Sequence, residues 1–374
     1  RIRLQLCHLG NMVFVKFNLR IERKTIDRHI DFFASLVRIV DPLFERVHIK
    51  LFARTDTQRK STGSAINGIR PVVECDLEFF EITCGCEKFC FVQIEAFSLF
   101  LTLFYYNSCK KEMESMRIDL HNHTTRCNHA EGTVDEYIQR AIELGIDIYG
   151  FSEHAPMDFD QHYRLGFNEM AAYTSEILTA KEQYKDQIKI LLGYEVDYLP
   201  GYMDDRILNA EVDYLIGSVH FIDKWGFDNP EFIGEYKNRD IDEIWQAYFD
   251  ATEAMAKTGY FDIVGHFDLI KVFKYMPTKE LKLLAREALK AIKKSNMVLE
   301  INTAGLRKPV KEIYPSRLLL EEAYSLDIPI TFGSDAHAVD QVGFAYDEAA
   351  ALAKVVGYTK VVTFEQRDRE LVTF

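Results

Sequence analysis

Residues 119–129 read DLHNHTTRCNH, three histidines packed directly behind the short apolar run RIDL at 117–120. Two imidazoles one residue apart at the end of a strand suit a transition metal, but they need partners from elsewhere in the chain. The chain supplies such side chains at equivalent places. His154 follows IDIYGFSE, Glu195 lies within LLGYEVDY, His220 follows LIGSV, His266 follows DIVG, and Asp335 with His337 follow ITFGS. Of the eight histidines beyond residue 115, seven stand at or just past such a run; His162, in DFDQHYRLGF, does not and reads as an ordinary loop residue.

Between the runs lie amphipathic stretches of helical length, so strand and helix alternate from Met116 to the C-terminus. Thr133 with Glu136 and Asp240 with Glu243 fit a capping box, Thr278 precedes KELKLLAREALKAIKK, and Gly259 follows a helix as its stop. Such alternation predicts an α/β fold, either a parallel-strand barrel or a doubly wound sheet. In a barrel the carboxyl ends of the strands surround one axis. The seven histidines, Glu195 and Asp335 would then share the face on which barrels build their sites.

The first 115 residues differ. They hold six of the seven cysteines and a net charge of +3, whereas the remainder holds Cys127 alone and −16, within a total of −13. Their patches follow no clean helical period. Residues 1–115 are therefore expected to be a segment of unclear structure, either a separate domain or sequence upstream of a natural start at Met116, the second being preferred. The stretch CGCEKFC at 84–90 lacks the paired C-x-x-C spacing of a zinc or iron–sulfur site. The most apolar run, AFSLFLTLFYY at 96–106, is shorter than the roughly 20 residues of a bilayer span, so no membrane association is expected. Sparse cysteine beyond residue 115 points to a reduced, cytoplasmic protein. The acidic balance argues against a nucleic-acid surface and leaves room for a small local anion pocket.

Seven histidines and two carboxylates are more donors than one cation uses, since Zn takes about four ligands. More than one divalent ion is implied. A carboxylate among imidazoles suits a bridge between ions. Nitrogen-rich ligation suits Zn, Mn or Fe better than Mg or Ca, with no choice among the first three.

Taken in order, DLHNHT, FSEHAP, GYEVDY, GSVHFI, GHFDLI, EINTAGLRK and GSDAH resemble the motifs of the polymerase-and-histidinol-phosphatase (PHP) superfamily, more closely its monofunctional histidinol-phosphatase branch. The resemblance spans Met116 to Phe374 and implies a distorted seven-stranded β/α barrel of TIM-like type around a trinuclear centre. Carried over motif by motif, it implies a first metal on His121, His123, Glu195 and Asp335. Glu195 would bridge to a second metal on His220 and His266, and a third would sit on His129, His154 and His337. Glu195, Asp335 and His337 are then the side chains nearest the chemistry. For the substrate phosphate the resemblance points to Arg307 in NTAGLRK and to Lys271 or Lys274 in DLIKVFK, where the family often has arginine. Lys308 reads as solvated.

The implied reaction is hydrolysis of a small phosphomonoester, L-histidinol phosphate, by attack of a metal-bridging hydroxide while the cations polarise the phosphoryl oxygens. Asp158 and Asp160 are candidates for the acid that protonates the leaving group, and Trp225 or Phe227 for a cover over the imidazole ring. Other readings stay open at this point: a nucleotide, a phosphotyrosine peptide or a DNA end as substrate, or a metal-holding scaffold without catalysis. An amidohydrolase would place a bridging lysine in mid-barrel where Glu195 stands. The oligomeric state is left open.

Overall fold

The computed structural model describes residues 115–374 throughout and, ahead of them, the backbone of four strands: β1 (Ile2–Leu9), β2 (Met12–Arg20), β3 (His48–Leu51) and β4 (Glu74–Thr83). The chain divides into two compact units, Arg1–Ser108 and Cys109–Phe374. The first contains an antiparallel sheet in the order β1-β2-β4-β3. A search for helical period misses it, because Ile2, Leu4 and Leu6 alternate with Arg3 and Gln5 at the period of a strand. The CGCEKFC stretch and the apolar run 96–106 lie outside the described residues.

In the second unit the apolar runs form parallel strands. They are β5 (Ile118–Asp119), β6 (Ile148–His154), β7 (Lys189–Asp197) and β8 (Tyr214–Ser218), then, beyond a small hairpin of β9 (Phe221–Ile222) and β10 (Trp225–Gly226), β11 (Ile263–Val264), β12 (Val298–Asn302) and β13 (Ile330–Gly333). Sheet order follows chain order from β5 to β13, leaving out the hairpin. Beyond Asp119 the chain stays beside β13: Leu120 N donates to Phe332 O (2.9 Å), Asp335 N to His121 O (2.7 Å) and His123 N to Ala336 O (3.0 Å). These bonds close the seven strands into a barrel. The strands are buried nearly end to end, as expected when both faces of a parallel sheet are covered.

The covering helices are α1 (Val134–Glu143), α2 (Met170–Gln183), the single turn α3 (Asp205–Leu208), α4 (Ile241–Thr258), α5 (Leu281–Lys294), α6 (Arg317–Ser325) and α7 (Tyr346–Val356). In α1 the buried residues Val134, Tyr137, Ile138 and Ala141 recur on one face, and Thr133 with Glu136 completes a reciprocal capping box. Asp240 caps α4 by accepting from Asp242 N and Glu243 N, and Gly259 ends it at φ 74°, where glycine carries no Cβ penalty. Thr278 does not cap α5, which starts at Leu281. Its amide and hydroxyl bind the Asp242 carboxylate instead, tying the start of α5 to that of α4. The eighth apolar run, KVVTF, also departs from expectation. It forms β14 (Lys360–Glu365), which pairs antiparallel with β15 (Asp368–Thr373), because closure of β13 on β5 leaves no edge for another barrel strand.

Candidate metal centre

All nine expected donors come to one end of the barrel, eight of them at or near strand ends and His129 by way of a turn. Glu195, 1% exposed on β7, divides its two oxygens between two groups. Its Oε2 lies 3.4 Å from His121 Nε2 and 3.6 Å from His123 Nε2, and His123 Nε2 is 3.3 Å from Asp335 Oδ1. Its Oε1 lies 2.8 Å from His266 Nε2 and 3.6 Å from His220 Nε2, with those two nitrogens 3.1 Å apart. Ser218 Oγ donates to Oε1 at 2.7 Å and holds the carboxylate in place. Two of the candidate donors sit at positive φ, His266 at 23° and Asp335 at 53°, a conformation that non-glycine residues adopt at a cost and that clusters at functional sites. Their amides are pinned, His266 N to Glu300 Oε2 (2.7 Å) and Asp335 N to His121 O.

The third set is arranged differently. His129 is carried back toward the barrel by a 3₁₀ turn, Thr125–Cys127, capped by Thr124 and ended by Asn128 at φ 65°. Its ring centroid lies 4.6 Å from that of His337 and 5.3 Å from that of His154. His154 Nδ1 also reaches Glu195 Oε2, at 2.8 Å. The donors that converge most tightly here form two overlapping groups, His123–His154–His337 and Cys127–His129–His337, with His337 common to both. His129, His154 and His337 are thus gathered, but His123 and Cys127 crowd the same space. Cys127 is turned aside: its Sγ donates to Thr124 O at 3.1 Å, and burial pushes its thiol pKa far up.

Electrostatics separate the sets. Burial disfavours the imidazolium form at His121, His123, His129, His154, His220 and His337, but nearby carboxylates outweigh it at His121, His123 and His220. Glu300, Glu195 and Asp335 raise His121 well above the ordinary value; Asp335 and Glu153 raise His123 to about 9, and Asp197 and Glu195 raise His220 to about 10. Burial, reinforced by His123, lowers His154 to about 4 and His337 well below the usual range, and burial lowers His129. His121 Nε2, His123 Nε2, His337 Nε2 and Glu195 Oε2 are buried without a hydrogen-bond partner. Converging lone pairs of this kind on nitrogen and carboxylate oxygen fit divalent transition ions.

A PHP domain model matches residues 119–304, and a PHP-associated model matches residues 317–352. A probable histidinol-phosphatase of Deinococcus radiodurans is 37% identical over 254 residues, covering 67% of this chain and 96% of that protein. The chain belongs to the PHP family. The histidinol-phosphatase of Bacillus subtilis is 31% identical over 261 residues, covering 61% of this chain and 96% of its own. Among solved structures, a histidinol phosphate phosphatase of Lactococcus lactis, complexed with Zn, L-histidinol and phosphate, aligns with a TM-score of 0.58 at 25% identity over 69% of this chain and all of that one. These relatives set the chain in the histidinol-phosphatase branch of the PHP family.

Two adjoining cavities open on this PHP centre. The deeper, of about 380 Å³, is lined by metal-ligand candidates with Asp228, Leu269, Arg307, Lys308 and Gln341. The outer, of about 290 Å³, takes in Asp160, Tyr163, Arg164, Phe221 and Phe232. Arg307 lines the deeper cavity. Its Nη2 is held by the carbonyls of Ser334 (2.9 Å) and Asp335 (2.8 Å), while the buried Nη1 has no partner. Lys271 and Lys274 do not line either cavity. The buried Lys271 ammonium spends its three donors on Asp268 (3.1 Å), Glu312 (2.7 Å) and Ile313 O (2.9 Å), and Lys274 is exposed. Lys308, read from sequence as merely solvated, lines both. Trp225 and Phe227 are buried in their own aromatic cluster, and the aromatic side chains that line the outer cavity are Tyr163, Phe221 and Phe232. His162 and Asp158 are exposed, and neither lines a cavity; Asp160 lines the outer one.

The sequence reading missed the carboxylates behind the ligands. Glu300 Oε1 lies 2.7 Å from His121 Nδ1, Glu153 Oε1 3.5 Å from His123 Nδ1, and Asp197 Oδ1 2.6 Å from His220 Nδ1. The signal was available, since each is an acidic residue inside an apolar strand run, a place where a charge survives only with partners. Gly333 belongs with them: a Cβ there would meet Glu300 Oε1 at 2.0 Å and His121 Cβ at 2.6 Å.

Proposed function

We propose that this PHP protein is a metal-dependent phosphomonoesterase that converts L-histidinol phosphate to L-histidinol and phosphate in the cytoplasm. The observation that carries the reading is a convergent set of buried imidazoles and carboxylates, several without a hydrogen-bond partner, beside a cavity lined by Glu195, Asp335, His337 and Arg307, whose Nη1 is unpaired. The names of the relatives support the same substrate, and the Lactococcus protein was crystallised with the two products of this reaction.

In this reading His121, His123, Glu195 and Asp335 would hold one ion, Glu195 with His220 and His266 a second, and His129, His154 and His337 a third. When bound, such ions supply Lewis acidity toward phosphoryl oxygen and a water acidic enough to attack phosphorus near neutral pH. The protein supplies position. Ser218 fixes the orientation of Glu195, and Glu300 and Asp197 fix the rings of His121 and His220. Arg307, immobilised through Nη2 with Nη1 left unpaired, would meet the phosphate at little reorganisation cost. Lys308 adds a mobile positive charge where the two cavities meet.

The test is phosphate release by the full chain reconstituted with Mn²⁺ or Zn²⁺, from L-histidinol phosphate beside an aryl phosphate and a nucleotide. Strong preference for L-histidinol phosphate is expected. Preference for the nucleotide would move the chain to another substrate class, and fully metallated protein with no turnover would leave a scaffold.

A further inference from the structure

The outer cavity is lined by three aspartates, and two of them are already neutralised. Arg164 Nη1 lies 2.7 Å from Asp197 Oδ2 and its Nη2 lies 3.5 Å from Asp160 Oδ2, while Asp197 also holds His220. Asp228 is different. It is half-buried, it lines both cavities, and no hydrogen bond or ion pair among the described residues reaches its carboxylate. Its place is fixed from both sides. Phe227 before it is fully buried edge-on to Tyr248 at 5.6 Å, and Asn229 after it caps the following 3₁₀ helix by accepting from Glu231 N at 2.9 Å. A carboxylate held in a partly desolvated position without a partner is a cost to the folded protein, recovered when a cation comes to it.

We propose that Asp228 is a specificity-determining residue that binds the ammonium group of a β-ammonium alkyl phosphate. The inference rests on the phosphatase reading above. Such an ester carries charges of opposite sign a few bonds apart: a phosphate, suited to the ligand cluster, Arg307 and Lys308 of the deeper cavity, and an ammonium two carbons from the ester oxygen. Asp228 stands where the two cavities meet and so faces the substrate just beyond the phosphate. An ester with no ammonium gains nothing from it and leaves its charge unpaired, which is discrimination built from an unsatisfied group.

The experiment compares the wild type with Asp228→Asn and Asp228→Glu on L-histidinol phosphate, on the same ester lacking its amine, and on an aryl phosphate, with metal content and melting temperature measured for each protein. Asp228→Asn is expected to lower kcat/KM about ten- to a hundredfold on the ammonium ester alone, mainly through KM, as for loss of one charged hydrogen bond. It should leave the other two esters within about twofold, a uniform change being excluded if the group meets only ammonium. Asp228→Glu should recover part of the loss. Equal losses on all three esters, loss of bound metal, or no loss on the ammonium ester would each overturn the proposal. If the metallated wild type hydrolyses none of the esters, the phosphatase reading falls and this inference falls with it; wild-type activity with a variant indifferent to the amine removes the inference alone.

Discussion

The inner and outer parts of the metal centre use the same imidazoles with different support. Around Glu195, the rings of His121, His123 and His220 each face a carboxylate, Glu300, Glu153 and Asp197, and His121 and His123 are wholly buried. In the outer set, His129 Nδ1 rests 2.8 Å from Cys127 O with no carboxylate behind it among the described residues, His337 Nδ1 rests 3.1 Å from Asp335 O and 3.4 Å from Asp335 Oδ1, His154 Nδ1 shares the Glu195 carboxylate at 2.8 Å, and the His337 side chain is 22% exposed. A carboxylate behind an imidazole fixes the ring and makes it a more basic ligand; a carbonyl fixes the ring without adding charge. The contrast teaches that, if the centre takes three ions as proposed, two should be bound more tightly than the third.

The sharpest way to break this contrast is at its hub. Replacing Glu195 by Gln or His123 by Ala should lower turnover by about a thousandfold or more, because several kcal/mol of transition-state stabilisation depends on the inner ions. Phosphate release and metal analysis would show it, and a variant retaining a full metal complement and a tenth of the activity would refute the assignment. One shell out, Glu300→Gln keeps the shape but withdraws the charge behind His121; it should cost about ten- to a hundredfold in inner metal affinity or activity. Metal titration of the variant would read this directly, and unchanged affinity would mean that Glu300 serves only the His266 amide.

The outer set is tested more gently. With His129→Ala, one ion per chain should be lost while two remain, at about a tenfold cost in rate, in line with removal of one weaker ligand. Graded chelation of the wild type should likewise release one ion before the other two; simultaneous release of all three would erase the distinction. The smallest effect is expected at Cys127. Burial raises its thiol pKa, so the neutral form persists as pH rises through the range where an ordinary thiol ionises, and thiol alkylation mapped by mass spectrometry at mildly alkaline pH should leave Cys127 unmodified in the folded protein. Cys127→Ser should keep activity and metal content. Loss of an ion in that variant would make the thiol a ligand and the outer set a mixed one.

The barrel and the donor set were legible because parallel strands end in one place. A side chain just past each apolar run needs no long-range information to be put on the shared face, and His121, His154, Glu195, His220, His266 and Asp335 all follow that rule. His129, counted with the strand-end histidines, reaches that face by a different route, through a 3₁₀ turn and a left-handed Asn128 that bring it back. The backing carboxylates were hidden for a different reason: Glu153, Asp197 and Glu300 look like interruptions of strands until the histidine each one faces is known.

The chain's own order of residues therefore determined the alternation of strand and helix, the end of the barrel that carries the site, and the kinds of atom offered there. Tertiary structure alone decided which charges are free. Lys271 and Arg307 are both cations in loops after barrel strands, and nothing local distinguishes them. Lys271 meets Glu312, 41 residues away in sequence, and is consumed, whereas Arg307 is anchored by carbonyls that leave one donor over. Asp160 and Asp228 part in the same way, one within 3.5 Å of Arg164 and the other without an ion pair among the described residues. Periodicity reports which face a residue occupies. Whether its charge is already paired depends on groups that only the closed barrel brings within hydrogen-bonding distance.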